Sequence, residues 1–245
     1  MSIENSHCIL ICGETGTGKS ASLRHIANPE RWWYANCESG KALPFRSKFK
    51  SSIITQPTQV RSALQALVKA PDADGIIIDT LTYLMDMFES RHVVNAVDGR
   101  DAWSDYQQFF KNMMSEDVAN LAKANKYVLF LAHTMEGKDS FGNITRTVPI
   151  KGALKNNGVE SYFNHVIATK KMRLLDLEKF ANPLLTITPR DEQLGYKHVF
   201  QTQPTKETTG ERIRGAMDMW TFEETFIDND IQIVIDRFNQ FYGQP

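Results

Sequence analysis

Cysteine is scarce in this sequence, and it contains no long apolar run and no signal sequence. The three cysteines show neither a CxxC pair nor the Cys/His spacing of a metal site, which predicts reduced core thiols rather than disulfides or zinc ligands. No apolar run approaches the roughly 18 residues of a membrane span, and the first residues lack the charged-then-apolar pattern of a signal peptide. These absences predict a cytoplasmic protein with no membrane partner.

An excess of charge of either sign is also lacking. The 28 Lys and Arg residues against 29 Asp and Glu give a net charge of −1, so binding to nucleic acid would need a local basic surface. The sequence contains no internal repeat, no low-complexity segment and no Pro-, Gly- or Ser-rich linker long enough to divide it. With 245 residues, 42% of them hydrophobic, the chain is predicted to form a single domain over residues 1–245 with a full apolar core.

Apolar, β-branched runs alternate with helical patterns along the first half of the chain. This alternation predicts a parallel sheet covered by helices on both faces. After residue 160 strand-like segments follow one another, so the expected fold is α/β, with a mainly parallel central sheet flanked by helices and antiparallel strands added C-terminally. A final helix near 229–242 is expected, capped by Asp228 or Asn229. The predicted strands are 7–12, 32–37, 75–79, 127–132, 163–171, 183–189 and 196–203, and the other predicted helices are 19–27, 58–69 and 102–124.

The stretch "GETGTGKS" at residues 13–20 matches a phosphate-binding loop. A predicted strand precedes it and a predicted helix follows it, which is the context that such a loop requires; the alternative is an ordinary glycine-rich turn. The glycines would let backbone N–H groups point at phosphate oxygens. Lys19 would supply charge to the β- and γ-phosphates, and the Ser20 hydroxyl would bind Mg²⁺. The predicted nucleotide contacts are Gly13, Glu14, Thr15, Gly16, Thr17, Gly18, Lys19 and Ser20.

The strand "GIIID" at residues 75–79 ends in a carboxylate. Many strands of α/β proteins end in this way, but after a phosphate loop Asp79 is predicted to share the Mg²⁺ with Ser20, while Thr80 assists through the metal's water shell. In many ATPases a Glu follows this Asp. Thr80 stands in that position in this chain, so either hydrolysis is weak or another residue supplies the carboxylate.

Two polar residues at neighbouring strand ends are candidates for the chemistry. Glu38 follows the strand at 32–37 and is predicted to orient or deprotonate the attacking water; the alternative is a solvated loop residue. His133 follows the strand at 127–132 and is predicted to sense the γ-phosphate, although a structural role is the alternative. A GTPase is disfavoured because Val128 stands where "NKYV" would need a guanine-reading Asp. A small-molecule kinase is disfavoured because no compact Arg-rich lid stands out.

Together these residues resemble the RecA/RadA core, and most closely the compact RecA-like ATPases of bacteriophages that are grouped with single-strand annealing recombination proteins. The resemblance covers almost the whole chain, including 99–111 and 226–235. His133 is a departure, since RecA itself has Gln there, and no N-terminal oligomerisation segment precedes the phosphate loop. The resemblance implies a RecA-like fold that hydrolyses ATP to ADP and phosphate with Mg²⁺, in the host cytoplasm if a phage encodes it.

The resemblance also implies that two loops, about 88–101 and 134–160, hold single-stranded DNA. The second is 27 residues long, which exceeds the usual connection, and Phe141 within it could stack on a base. The alternative is a surface hairpin with solvated charges. The predicted phosphate contacts are Lys138, Arg146, Lys151 and Lys155.

Residues 202–215 gather cations in a Gly- and Thr-rich stretch. It is similar in position to the segment from which RecA-type subunits reach a neighbour's nucleotide, which implies that Lys206 and Arg212 act catalytically in trans within a homo-oligomeric ring or filament. The alternative is a polar hairpin with solvated cations. A single-stranded DNA-binding protein is a further implied partner.

The predicted function is therefore an ATP-dependent, DNA-binding ATPase that acts on single-stranded DNA in phage-type recombination or annealing. One alternative is a motor or assembly ATPase of another P-loop branch, which acts on protein or duplex DNA. The other is a nucleotide-gated binding protein that exchanges ATP with little hydrolysis. The ATPase rate with and without single-stranded DNA distinguishes these three predictions.

Overall fold

A computed structural model describes residues 7–243 of the chain. Within that range the strands and α-helices are numbered in chain order, β1 to β10 and α1 to α8. The strands are Cys8–Gly13, Trp32–Asn36, Lys50–Ile53, Gly75–Asp79, Tyr127–His133, Met135–Lys138, Ile144–Thr147, His165–Arg173, Tyr196–Gln201 and Phe226–Asp228. The α-helices are Thr58–Leu67, Leu81–Phe88, Gly99–Asn112, Ala119–Lys123, Leu154–Asn157, Leu174–Leu177, Pro189–Leu194 and Ile231–Phe241.

Eight strands form one mixed sheet in the order β10-β9-β8-β1-β5-β4-β2-β3, and β6 and β7 form a separate hairpin. In this sheet the strands β8, β1, β5, β4, β2 and β3 pair in parallel, each with the next in that order. Strand β9 pairs antiparallel with β8, and β10 pairs antiparallel with β9. The α/β class is confirmed, with a mainly parallel sheet and antiparallel strands added C-terminally. The carboxyl ends of β1, β2, β4 and β5 lie side by side, which is where ligands bind in open α/β sheets.

The central strands are buried on both faces of the sheet. Along β1, Cys8, Leu10 and Cys12 pack into one apolar cluster, whereas Ile9 and Ile11 pack into another. Since helices cover both faces, the strands read as continuous apolar runs rather than as an alternating pattern. All three cysteines are free and buried, as predicted.

The predicted helix 102–124 is present from Gly99 to Lys123, with a π-helical segment at Met113–Val118 between α3 and α4. It begins where the Asp98 side chain accepts from the backbone N–H groups of Arg100 and Asp101. Its apolar face is buried against the sheet, which the spacing of three and four residues predicts.

The strand predicted at 183–189 is wrong. The segment makes a single backbone bond to β10, from the Asp228 N–H to the Leu184 carbonyl over 2.8 Å, and the Thr186 N–H donates to the Asp228 side chain, Oδ1, over 3.1 Å instead of continuing a ladder. Thr188 and Asp191 then form a reciprocal capping box that starts α7 with Pro189 in its first turn.

Other boundaries also differ from the predictions. Helix α8 is capped by Asp230, whose side chain accepts from the Gln232 N–H over 3.0 Å, and not by Asp228 or Asn229. Asn229 instead bonds to Gly18, and Asp228 is the last residue of β10. The helix predicted at 19–27 is a shorter 3₁₀ helix, Ser20–His25. Strand β3 and helix α2 lie outside the predicted elements.

No helix within residues 7–243 combines the length and the apolar character that crossing a membrane requires.

Candidate nucleotide-binding site

The phosphate loop follows β1 and turns on glycines that no other residue could replace without strain. Gly16 and Gly18 have φ angles of 80° and 103°, a region that residues with a Cβ rarely adopt. A Cβ on Gly13 would lie 2.1 Å from the Thr169 hydroxyl on the neighbouring strand β8. The Thr17 hydroxyl donates to the Glu14 carbonyl over 2.8 Å, so the turn also has an internal bond.

Lys19 lies inside this turn with only 6% of its surface exposed. Its Nζ donates to the carbonyl oxygens of Gly13 and Glu14, both over 2.9 Å. Burial lowers the pKa of Lys19 to about 8, so the ammonium stays mostly charged near neutrality. The loop therefore holds one cation at its centre, where phosphate oxygens can replace the two carbonyls.

Asp79 lies at the carboxyl end of β4, beside Ser20. Its Oδ2 accepts from the Ser20 hydroxyl over 2.9 Å and from the Tyr34 hydroxyl over 2.7 Å. Its Oδ1 is buried and has no hydrogen-bond partner among the described residues. Burial raises the pKa of Asp79, although the bonds from Tyr34 and Ser20 oppose the rise.

An unsatisfied carboxylate oxygen beside a hydroxyl fits a hard cation. Mg²⁺ prefers oxygen ligands and is usually held by one or two protein groups plus substrate phosphates and water. Asp79 and Ser20 supply such a pair next to the phosphate loop. The donor set therefore fits the predicted Mg²⁺, and this fit also gives the free oxygen of Asp79 a role.

His133 links Lys19 to Glu38. The Lys19 ammonium, which can only donate, lies 3.2 Å from His133 Nδ1, so Nδ1 accepts and the proton is on Nε2. His133 Nε2 lies 3.4 Å from Glu38 Oε1, and Lys41 Nζ donates to Glu38 Oε2 over 2.8 Å. Burial, together with the charge of Lys19, lowers the pKa of His133, which keeps it in the neutral form that this arrangement needs.

These side chains line one cavity of about 860 Å³, a size typical of small-molecule sites. The cavity extends from the phosphate loop in two directions, toward the ends of β2, β4 and β5 and toward β9 and the turn before α8. The predicted residues that line it are Thr15, Gly16, Gly18, Lys19, Ser20, Glu38, Asp79 and His133.

Thr80 lies elsewhere than predicted. It is buried, and its hydroxyl lies 3.0 Å from that of Thr82 within the core rather than in the cavity. Thr80 follows Asp79 through a cis peptide bond. Glu38, which follows β2, does line the cavity.

Within the segment 134–160, β6 and β7 form a hairpin. The surface hairpin that the sequence left open as the alternative to a DNA-binding loop is therefore present in this part of the segment. Arg146, a predicted DNA contact, is ion-paired within the chain: its guanidinium donates to Glu14, Glu136 and Glu211 over 3.0, 2.9 and 3.0 Å. Lys151 is likewise paired with Glu89 over 2.7 Å. Of the carboxylates that pair with these two cations, Glu14, Glu89 and Glu211 belong to other segments of the chain.

Lys138, Lys155 and Phe141 are exposed, as a DNA contact requires. The other predicted loop, 88–101, is largely helical, since a π-helical segment spans Glu89–Val93 and α3 begins at Gly99. Lys151 is exposed as well, but within residues 7–243 only Lys138 and Lys155 of the predicted DNA cations combine exposure with the absence of an ion pair, and we call these two the accessible cations.

The two cations predicted to act in trans differ in their surroundings. Arg212 donates to Glu160 of its own chain over 3.1 Å, and the Glu160 side chain is 3% exposed. This buried acid pairs with the guanidinium within the same chain. Lys206 is 87% exposed and lies 3.7 Å from Glu207, so it remains accessible to another subunit.

Several site residues were not predicted from the sequence. Tyr34 contacts Asp79, Lys41 contacts Glu38, and Thr169 packs against Gly13. Only Tyr34 carries a sequence signal, a hydroxyl in the middle of an otherwise buried strand. The contacts of the others depend on tertiary structure.

No family model matches the chain, and no curated protein matches it either. Function is therefore inferred from the geometry of the cavity and from the chemistry of its side chains.

Proposed function

We propose that the chain is a Mg²⁺-dependent ATPase with a RecA-like core. One observation carries the proposal: a phosphate loop, a carboxylate with an unsatisfied oxygen, and a Glu–His pair converge on one cavity. Ordinary glycine-rich turns do not bring these groups together. The adjacent strands β2, β4 and β5 supply Glu38, Asp79 and His133, and this order supports the RecA-like assignment.

The residues of the cavity have separate roles in this proposal. Loop N–H groups and Lys19 bind the phosphates, and Lys19 exchanges two backbone carbonyls for phosphate oxygens as it does so. Ser20 and Asp79 would hold Mg²⁺, which when bound neutralises phosphate charge. Glu38 orients the attacking water and takes its proton.

His133 is a positioning residue, because it acts through its two neighbours. It accepts from Lys19 and donates to Glu38. When phosphate oxygens draw the Lys19 ammonium toward them, His133 loses its donor, and the orientation of Glu38 changes with it. The state of the nucleotide is thereby transmitted to β6, which begins two residues after His133.

Single-stranded DNA is the proposed partner, in recombination or annealing of the bacteriophage type. The accessible cations Lys138 and Lys155 and the exposed ring of Phe141 support a sequence-independent contact. Lys206 is the proposed cation in trans within a homo-oligomer. Mixing Lys206→Ala protein with Lys19→Ala protein tests this role, since an intact pocket can then meet an intact Lys206; no recovery of turnover in co-assembled mixtures would refute it.

A nucleotide-gated binding protein with little hydrolysis is the second candidate. It is favoured by Lys41, whose ammonium pairs with Glu38 over 2.8 Å and holds the carboxylate that should take the proton. This candidate and the ATPase share the same binding site and differ only in turnover.

The experiment that separates the candidates measures phosphate release from Mg·ATP with and without single-stranded DNA, with Lys19→Ala as the blank. Turnover that DNA stimulates supports the proposed ATPase. Turnover that DNA leaves unchanged supports a motor of another branch, and tight ATP binding with negligible turnover supports the nucleotide-gated protein. If wild-type protein fails to bind Mg·ATP, all three are wrong.

A further inference from the structure

Beyond the phosphate loop the cavity continues to a second wall that the hydrolysis chemistry does not use. We define the second wall as Tyr196 and His198 on β9 together with Asn229 in the turn before α8. All three line the same cavity as Lys19 and Ser20. A ligand that fills the cavity would therefore contact the second wall.

The second wall is fixed to the backbone of the phosphate loop. His198 Nδ1 lies 3.0 Å from the Thr17 carbonyl, and the Asn229 side-chain N–H donates to the Gly18 carbonyl over 2.9 Å. A Cβ on Gly18 would lie 2.4 Å from Asn229 Nδ2, so this close approach requires the glycine. The phosphate site and the second wall thus keep a fixed relative position, as a site for one ligand requires.

The contact with Thr17 also sets the chemistry of His198. A carbonyl oxygen only accepts, so the proton is on Nδ1, and Nε2 of the neutral ring is an acceptor. The aspartates that line this part of the cavity already have partners: Lys197 lies 3.3 Å from Asp191 and 3.1 Å from Asp228, and His25 lies 2.5 Å from Asp230. His198 Nε2 is thus an acceptor available for a ligand's hydroxyl or amine.

Tyr196 supplies an aromatic surface at this wall. Lys171 Nζ lies over its ring at 3.8 Å from the centroid, and Lys171 does not line the cavity. The His198 ring meets the Tyr196 ring edge to face at 5.7 Å. Lys171 covers one face of the Tyr196 ring, so a planar base would stack on the other face.

We propose that the second wall binds the nucleoside of the nucleoside triphosphate: Tyr196 stacks on the base, and His198 Nε2 accepts from a ribose hydroxyl or an exocyclic amine. This inference rests on the proposed function, because the triphosphate must occupy the phosphate loop. The cavity of about 860 Å³ is larger than a triphosphate alone would need. The second wall, with an acceptor and an aromatic ring, lines part of the remaining cavity.

The test compares a ligand that has a nucleoside with one that lacks it. Mg·ATP and magnesium inorganic triphosphate are titrated calorimetrically into wild-type protein and into the Tyr196→Ala, Tyr196→Phe and Phe222→Ala variants. Phe222, which is 68% exposed and does not line the cavity, is the matched aromatic control. Tyr196→Ala is expected to weaken ATP binding about tenfold and to leave triphosphate binding within about twofold, whereas the other two variants bind both ligands as wild type does.

The outcomes separate this inference from the proposed function. If wild-type protein binds neither ligand, the proposed function itself is wrong. If wild-type protein binds both with equal affinity, the nucleoside contributes nothing and the inference is overturned without any variant, so a Tyr196→Ala protein that fails to fold leaves the test intact. The inference is also overturned if Tyr196→Ala binds ATP as wild type does, or loses both ligands equally.

Discussion

Arg146 Nε donates to Glu14 Oε1 over 3.0 Å, and this bond joins the β6–β7 hairpin to the phosphate loop. The two residues are 132 positions apart in the chain. The same guanidinium reaches Glu211, whose side chain is 6% exposed and which also pairs with Lys170. Charge-assisted bonds therefore help to hold the hairpin against the site, beside a backbone bond from the Arg146 N–H to the Gly210 carbonyl over 3.2 Å.

Replacement of Arg146 by Ala should destabilise the fold. Glu211 would keep its bond to Lys170 but lose its bond to Arg146. Because the Glu211 side chain is nearly buried, water cannot replace the lost donor, which predicts a loss of about 1–3 kcal/mol in the free energy of unfolding. Urea denaturation measures this. Lys138→Ala, an exposed position on the same hairpin, is the matched control and should stay within about 0.5 kcal/mol of wild type. Equal stability of the two variants would mean that Arg146 does not attach the hairpin.

Reversal of the two accessible cations, in the Lys138→Glu/Lys155→Glu protein, should weaken the binding of single-stranded DNA. Binding then releases fewer counterions from the DNA, so the slope of log affinity against log salt concentration should flatten by about 0.7 for each phosphate contact that is lost. The affinity for ATP without DNA should not change. Fluorescence anisotropy with a labelled oligonucleotide across a salt series measures both quantities.

The control for charge alone is Lys69→Glu/Lys123→Glu. Both lysines are exposed and precede β4 and β5, at the end of the sheet opposite the hairpin. If this protein loses as much affinity and slope as the hairpin variant does, the hairpin is not the DNA contact.

Glu38→Gln should separate binding from chemistry. The amide keeps the shape of the side chain but cannot take a proton, so Mg·ATP should bind while turnover falls by a factor of about 10². Steady-state phosphate release and calorimetric binding check the two halves of this statement. Glu30→Gln, at a position outside the cavity, should turn over as wild type does. A Glu38→Gln protein with wild-type turnover would assign the base to another residue.

The spacing of the phosphate loop and the Asp at the end of a buried strand were predictable, because each is a local pattern. Lys19 and Asp79 line the same cavity. Arg146 and Arg212 also look like free cations in the sequence, but their partners, Glu14 and Glu160, come from distant segments. Local patterns contain no information about such ion pairs, which explains why the surroundings of these two residues could not be predicted.

The error at 183–189 has a different cause. Alternating apolar residues there resemble a strand, but Thr188 and Pro189 begin a helix, and the Thr186 backbone bonds to Asp228. The capping residues were visible in the sequence, whereas the bond to Asp228 was not. Likewise, α8 is capped by Asp230, whereas the Asn229 side chain bonds to Gly18, a contact that the sequence does not reveal.

His165 should make the stability of the fold depend on pH. It is 2% exposed, it lies 2.8 Å from the Tyr242 hydroxyl, and burial lowers its pKa to about 4 from 6.5. Between pH 6.5 and 4, His165 is therefore protonated in the unfolded chain but neutral in the folded chain. The free energy of unfolding consequently falls as the pH drops through that window. The full loss is about 3 kcal/mol at about 1.36 kcal/mol per pKa unit.

Urea unfolding at about pH 7 and about pH 4 checks this, with His165→Gln as the comparison because it cannot titrate. The destabilisation caused by the substitution should shrink at the lower pH. Other groups titrate equally in both proteins, so the difference isolates His165. The same difference at both pH values would contradict the shifted pKa.

The phosphate loop around Lys19 should bind a nucleoside triphosphate together with Mg²⁺, and every role proposed for the cavity depends on this binding. Calorimetric titration of Mg·ATP into wild-type and Lys19→Ala protein measures it, with circular dichroism to show that both proteins are folded. We expect saturable one-to-one binding by wild type and a loss of affinity of about 10²-fold in the variant, because a nearly buried cation no longer meets the β- and γ-phosphates. Absence of binding by wild-type protein, or equal binding by the two proteins, would show that this loop is not a nucleotide site.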